Sequence, residues 1–221
     1  MNQRILRFAF VGAIVALFTG YQVTSNRNPA QGSSTQHVLT PEIRAQTLSF
    51  QPGVAPDDQK WILAAIAKAR PEAQQLIGAV DGLVTIGTVY QPGVPYVGLA
   101  QEGTDDIRFN VAYLDGERKQ DRDQSVLHEL GHIVDFELVP DDQLAALAAQ
   151  IPSSGACITP ESGDCTAPEE RFADTFAKWA LRGAVSTVGA GYGVMSPSSL
   201  EDWGTPLGLI AAEQTLLARS R

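Results

Sequence analysis

Two of the three histidines in this 221-residue chain stand four positions apart, in the segment HELGH. They are His128 and His132, and Glu129 directly follows the first. On an α-helix, residues four apart project from one face, so both imidazoles can reach a single zinc ion at about 2.0 to 2.1 Å. Glu129 is rotated by about 100° from His128. It would therefore flank the metal as a general base for an activated water.

Local signals predict a helix over residues 123–138 to carry this motif. Asp121 and Asp123 supply an N-cap and a first-turn acid, and Pro140 lies just beyond the end. The apolar stripe of this helix consists of Val126, Leu127, Leu130, Ile133 and Val134. The alternative is an ordinary helix of a structural protein with two surface histidines, which would bind no metal.

A catalytic zinc site needs a third protein ligand besides two imidazoles. The metzincin form of the motif would place a histidine at position 138, where this chain has Leu138. The third histidine, His37, lies in a polar segment typical of a linker. With both cysteines expected to pair with each other, elimination leaves a carboxylate as the third ligand.

The segment TAPEERFADTFAKWAL, residues 166–181, offers the best carboxylate. Thr166 and Glu169 fit a capping box, which gives Glu169 a structural role. Glu170 and Asp174 then lie four apart on one helical face. We assign Glu170 to the metal and Asp174 to the outer nitrogen of a ligating histidine, whose tautomer it would fix. The alternative is that both acids lie on a solvated face.

HELGH followed by EERFADTF resembles the gluzincin branch of zinc metallopeptidases. The segment ERFADTF is especially similar to the corresponding helix of lethal-factor-type metallopeptidase domains. The resemblance covers residues 125–138 and 168–181 and implies a zinc-dependent endopeptidase with a zincin-like fold. In that family pattern the two histidines and Glu170 would hold Zn²⁺, and Glu129 would act as base and acid. The spacer of 37 residues before Glu170 is longer than the shortest gluzincins need.

Two further features concern a peptide or protein substrate. Tyr192, in the glycine-flanked segment GAGYGVM, is the candidate donor to the tetrahedral oxyanion, and a tyrosine packed against the core is the alternative. The strand predicted at 106–115 directly precedes the metal helix. An extended peptide aligned along the edge of that strand would favour an endopeptidase.

The predicted helices and strands are grouped along the chain and do not alternate one by one, which indicates an α+β fold. Helices are predicted from Pro56 and from Pro71, the first with a buried stripe of Trp61, Leu63, Ala64 and Ala67. Segments rich in β-branched and aromatic residues then predict a small antiparallel sheet of strands at 83–90, 95–101 and 106–115. Further helices are predicted at 123–138, 141–150 and 168–182, the last ended by Gly183. A loop follows, and a final helix is predicted at 207–219. The small sheet thus precedes a helical metal-binding subregion.

The N-terminal segment has the pattern of a secretory signal. Arg4 and Arg7 precede the apolar run 8–18, which is short for a membrane span. An uncleaved membrane anchor is the alternative, so we expect a secreted or cell-envelope protein, with a membrane tether in the second case. The expected organisation is a signal peptide or anchor at 1–25, a linker at 26–50 and one metallopeptidase-like domain at 51–221.

Cysteine usage and charge narrow the function further. In an exported chain, Cys157 and Cys165 are expected to form a disulfide, with two free thiols as the alternative. Beyond residue 25, 14 Lys and Arg face 25 Asp and Glu, which disfavours nucleic acid as a partner. We expect a monomer. The rival function is an exported metal-binding or structural envelope protein without catalytic activity, against which the presence of Glu129 argues.

Overall fold

The computed structural model describes residues 48–94, 96–115, 121–152, 167–184 and 194–220. These all belong to one compact unit, residues 42–221. Several predicted features lie outside the described residues: the segment 1–25, most of the linker, His37, Cys157, Cys165, Thr166 and Tyr192. The signal peptide, the disulfide and the oxyanion donor therefore stay predictions.

The described residues form six helices of nine or more residues and one shorter helix. They are α1 (Pro56–Lys68), α2 (Pro71–Val80), α3 (Val111–Asp115), α4 (Arg122–Leu138), α5 (Asp141–Ala149), α6 (Pro168–Ala180) and α7 (Leu200–Arg219). Helices α1 and α2 begin at the predicted prolines, and α4, α5 and α6 match their predicted bounds to within two residues at each end. Within this part of the chain, no helix combines the length and apolar character needed to cross a membrane.

Four strands form one mixed sheet in the order β1-β2-β4-β3. They are β1 (Ser49–Phe50), β2 (Thr85–Val89), β3 (Gly98–Gln101) and β4 (Asp106–Asn110). The prediction of an antiparallel sheet was wrong, because only β3 and β4 pair in that way. The chain turns tightly from β3 into β4, so these two strands are antiparallel. On its other side β4 pairs with β2, and these two strands run parallel.

The extents of the strands also differ from the prediction: β2 is shorter at both ends, and β3 begins at Gly98. The strand expected at 106–115 ends at Asn110, and the following five residues form α3. The last residues of the predicted linker, Ser49 and Phe50, form β1 at the edge of the sheet. The folded domain therefore includes residues assigned to the linker.

Helix α4 occupies the centre of the domain, where it packs against α1, α2, α6 and β3. Its predicted apolar stripe is confirmed: Val126, Leu127, Leu130, Ile133 and Val134 are fully buried. The stripe predicted for α1 was wrong, since the buried positions are Ile62, Ala65 and Ile66, whereas Leu63 is exposed. The buried set also follows helical spacing, and α1 packs against α4.

Helix α7 begins at Leu200, seven residues before the predicted start. The hydroxyl of Ser199 accepts a hydrogen bond from the backbone N–H of Asp202 at 3.1 Å and caps the first turn. Gly204 and Pro206 belong to the segment predicted as a loop before residue 207, yet both lie within the helix. Trp203 is fully buried and donates its indole N–H to the carbonyl of Leu147 at 3.1 Å, which fixes this first part of α7 to the core.

Candidate metal centre

Helix α4 presents His128 and His132 on one buried face. The Asp121 carboxylate accepts a hydrogen bond from the backbone N–H of Gln124 at 3.1 Å, which confirms Asp121 as the N-cap. The two imidazoles retain only 2% and 7% of their accessible surface, and their Nε2 atoms lie 3.2 Å apart. Both rings therefore turn the same nitrogen toward a common point, as the spacing of the motif predicts.

Glu170 completes the cluster from the first turn of α6. Its Oε2 lies 3.3 Å from Nε2 of His128, and its Oε1 lies 3.6 Å from Nε2 of His132. The three residues form a group whose ligand atoms all lie within 4.8 Å of one another. The predicted convergence of two imidazoles from one helix with the Glu170 carboxylate from a second is confirmed.

The spacing of these donor atoms fits a single small cation. In a tetrahedral site with bonds of about 2.0 to 2.1 Å, neighbouring ligand atoms lie about 3.3 to 3.4 Å apart. The two Nε2 atoms lie 3.2 Å apart, and each lies near a different oxygen of the Glu170 carboxylate, at 3.3 and 3.6 Å, so all three distances are close to that value. Two neutral imidazoles and one carboxylate are also a donor set suited to a divalent metal with one position left open.

The same contacts shift the protonation of the ligands. Burial opposes the charge of Glu170, but hydrogen bonds from His128 and His132 outweigh it and lower the pKa of the carboxyl to about 2. Burial would lower the pKa of His128, but the hydrogen bond to Glu170 and the charge of Glu129 raise it. Beside each other, the Glu170 carboxyl is thus favoured in its negative form and the His128 ring in its positive form.

Glu129 lies beside the cluster and does not belong to it. It is 3% exposed, and burial raises the pKa of its carboxyl, while the nearby histidines act in the opposite direction. The backbone amide of Ala100 in β3 contributes a hydrogen bond to the carboxylate. Glu129 also fills the space where Gly98 lacks a side chain. The carboxylate thus lies between the candidate metal ligands and the edge strand.

Asp174 has a different set of partners from the predicted one. Its carboxylate lies 2.6 Å from Nζ of Lys178, one turn further along α6, and accepts a hydrogen bond from the side-chain amide of Gln124 at 3.1 Å. It affects His128 through its negative charge, which contributes to raising the pKa of the ring. Asp174 is 1% exposed, so it does not lie on a solvated face. It links α4 and α6 behind the ligands.

Two other predicted roles change. Helix α6 has Ala167 as its N-cap, without a side-chain capping bond, so the prediction of a capping box formed by Thr166 and Glu169 was wrong. Strand β4, predicted to align a substrate along its edge, has β2 on one side and β3 on the other. Both edges of β4 are thus occupied, and β3 is the strand at the sheet edge beside the metal centre.

Sequence reasoning missed Gly98, Ala100 and Gln124. A glycine inside a strand signals a close approach by another group, and that signal was present at Gly98. Ala100 contributes only its backbone amide, which no side-chain pattern reveals. Gln124 lies on α4 one turn before His128, but its partner Asp174 is 50 residues away in the sequence.

No protein-family model, curated protein or solved structure gives a significant match to this chain. The likeness to metallopeptidases therefore depends on the residues of the metal centre and their arrangement.

Proposed function

We propose that this protein is a zinc-dependent metalloendopeptidase of the gluzincin type. The observation that carries the proposal is the convergence of His128, His132 and Glu170, with donor atoms 3.2 to 3.6 Å apart, next to a buried Glu129. A structural role for the two histidines would not require a carboxylate placed between both rings. A metal-binding role alone would not require a second buried carboxylate at the edge of the site.

His128, His132 and Glu170 would hold the ion. Bound zinc supplies Lewis acidity, which makes water a better nucleophile near neutral pH and polarises a peptide carbonyl. Three protein ligands match catalytic zinc sites, in which a fourth position stays open. Of the three side chains, Glu170 retains 26% of its accessible surface, so we infer that solvent and substrate approach from its side.

Glu129 serves as the proton carrier in this proposal. Its carboxylate would take a proton from the attacking water and then give it to the leaving amine. Burial raises the pKa of Glu129, which brings the group nearer to the working pH and so favours both steps. Tyr192 remains the candidate donor to the oxyanion.

We assign alignment of the substrate to β3. Within the described sheet β3 pairs with β4 alone, so its other edge, apart from the Ala100 amide that binds Glu129, is left for an extended peptide. That edge lies next to Glu129, so a peptide bound there would pass the proton carrier. An open strand edge accepts the middle of a chain, which favours an endopeptidase. The signal peptide proposed for residues 1–25 would place this substrate outside the cytoplasm.

The test uses the purified full chain loaded with zinc, together with the variants Glu129→Gln and Glu137→Gln. We expect wild type and both variants to retain about one zinc per chain, since neither residue is a ligand. Wild type and Glu137→Gln should cleave casein or a mixed peptide library, and Glu129→Gln should not. A wild-type protein that holds zinc and cleaves nothing would support the rival metal-binding function, and one without zinc the structural rival.

A further inference from the structure

Gly98 in β3 lies against the side chain of Glu129. A Cβ atom at position 98 would lie 2.3 Å from Oε1 of Glu129 and 2.6 Å from its Cγ and Cδ. Non-bonded heavy atoms do not approach this closely, since their optimal separation is about 3.5 to 4.0 Å and repulsion rises steeply at shorter distances. The carboxylate and a side chain at position 98 therefore exclude each other.

The backbone gives no separate reason for a glycine at this position. The described glycines with positive φ are Gly53, Gly93, Gly103 and Gly183, and Gly98 is not among them. It lies in a regular antiparallel pairing, opposite Phe109 of β4. Any residue can adopt such a conformation. The Glu129 side chain, where it lies, leaves no room for a Cβ at this position.

Ala100, two residues after Gly98, binds the same carboxylate through its backbone amide. The N–H of Asn110 donates to the carbonyl of Val97 at 2.9 Å, so these two form a hydrogen-bonded pair. Hydrogen-bonded and non-bonded pairs alternate along an antiparallel ladder. Gly98 and Ala100 therefore turn their backbone groups to the free edge of β3. The amide of Ala100 is directed there to Glu129.

We propose that Gly98 is a positioning residue, whose missing side chain lets β3 hold the Glu129 carboxylate between its own edge and the metal ligands. This inference rests on the proposed peptidase function. Helix α4 is buried on all sides around Glu129, so its backbone cannot retreat from an added methyl group. The carboxylate is the part that can move, and it would leave the place where it exchanges protons with the substrate.

The first test is Gly98→Ala in the zinc-loaded full chain. We expect kcat for peptide hydrolysis to fall about 100-fold, as for a misplacement near 1 Å, with KM and zinc affinity little changed. The matched control is Gly87→Ala in β2, where a Cβ would meet the Gln51 side chain at 2.4 Å. Gly87→Ala should keep wild-type kcat. Wild-type kcat in Gly98→Ala would overturn the inference.

A second test is independent of activity. In ¹⁵N–¹H spectra, the Ala100 amide should shift in Glu129→Ala and in Gly98→Ala but not in Gly87→Ala. If Gly98→Ala fails to fold, the double variant Gly98→Ala/Glu129→Ala should fold, because the carboxylate has gone. Failure of the double variant to fold, or an unmoved Ala100 amide in Gly98→Ala, contradicts the inference. If wild type hydrolyses no peptide but the Ala100 amide still shifts in both variants, the proposed function is rejected, whereas the contact between Gly98 and Glu129 is supported.

Discussion

Gly131 of α4 lies directly against Ala173 of α6, at the crossing that brings the imidazoles to Glu170. A Cβ at position 131 would lie 3.2 Å from Cα and 3.3 Å from the carbonyl oxygen of Ala173. Both are backbone atoms, so a change of rotamer could not make room. The absence of a side chain at Gly131 therefore sets how closely the two ligand-bearing helices approach.

We expect Gly131→Ala to weaken zinc binding about tenfold while the protein stays folded. The added methyl group would displace α6 by a few tenths of an ångström, and metal sites tolerate deviations of only about 0.2 Å in ligand distance. Competition with a chromophoric chelator measures the affinity. Gly78→Ala in α2, where a Cβ meets open space, is the control. Equal affinity of Gly131→Ala and wild type would show that helix separation does not control the site.

Glu170 and its neighbour Glu169 form a matched pair for testing the ligand assignment. Glu170→Gln should lower zinc affinity by more than about 100-fold, because even partners outside the ligand set typically contribute 10- to 100-fold. Glu169→Gln should bind zinc as wild type does. Metal content after dialysis against a weak chelator separates the two. Zinc retained in Glu170→Gln and lost in Glu169→Gln would show that the wrong acid was assigned.

Zinc should stabilise the fold as well as complete the site. A ligand that binds only the folded state adds about 2.7 kcal/mol at a free concentration 100 times its Kd. Urea unfolding with and without excess zinc measures this gain, and EDTA should reverse it. In His128→Ala the gain should largely disappear. An equal gain in that variant would place the stabilising zinc at another site.

The convergence of His128, His132 and Glu170 could be predicted because it depends on local rules. His128 and His132 share a face by helical spacing, and Glu170 was the remaining acid on a helix with the right neighbours. The contacts of Glu129 could not be predicted in the same way. They depend on how β3 packs over α4, and the register of a short edge strand is set by long-range pairing. The partner of Asp174 was missed for a similar reason, since Lys178 and Gln124 compete with a histidine for its oxygens.

The fold shows the same division between local and long-range effects. Caps and prolines located most helices, including α1, α2 and α4. The sheet was assigned as antiparallel because strands close in sequence usually form hairpins. Instead, β4 pairs directly and in parallel with β2, although β3 lies between these two strands in the sequence. The start of α7 was missed because Gly204 and Pro206 are poor helix formers. Trp203, which lies between the N-cap Ser199 and Gly204, is fully buried, and the free energy of this burial outweighs the low helix propensity of Gly204 and Pro206.

Arg70 connects three helices on the side of the domain formed by α2, α6 and α7. Its guanidinium lies 4.6 Å from the ring centroid of Trp179 and makes two hydrogen bonds to Glu201, at 2.8 and 3.0 Å. It also lies 3.0 Å from Glu72. Arg70→Ala should destabilise the protein by about 1 kcal/mol, mainly through the lost contact with the indole, because exposed ion pairs contribute little. Lys60→Ala, which removes an exposed cation, is the control for charge.

The destabilisation by Arg70→Ala should depend on pH. Hydrogen bonds from Arg70 lower the pKa of Glu201; burial opposes the ionisation of Glu72, but its own backbone amide and Arg70 together lower its pKa. A lowered carboxyl pKa stabilises the fold above the ordinary value of 4.5, and the effect disappears as the pH falls through the lower folded value. The difference between wild type and Arg70→Ala in urea unfolding should therefore be larger at pH 7 than at pH 3. A difference that grows toward pH 3 would contradict this account.

Gly204 is the point at which α7 touches the indole of Trp179. A Cβ there would lie 1.9 Å from Nε1 and 2.3 Å from Cε2 of a ring that is almost completely buried. Gly204→Ala should destabilise the protein by about 1 to 3 kcal/mol, the usual cost of overpacking a core. Gly208→Ala, four residues along the same helix and facing open space, should be stabilised by about 0.8 to 1 kcal/mol through helix propensity alone. Thermal or urea unfolding of both variants gives opposite signs if the contact with Trp179 explains the glycine. Equal shifts in both would show that α7 is not packed against α6 at this point.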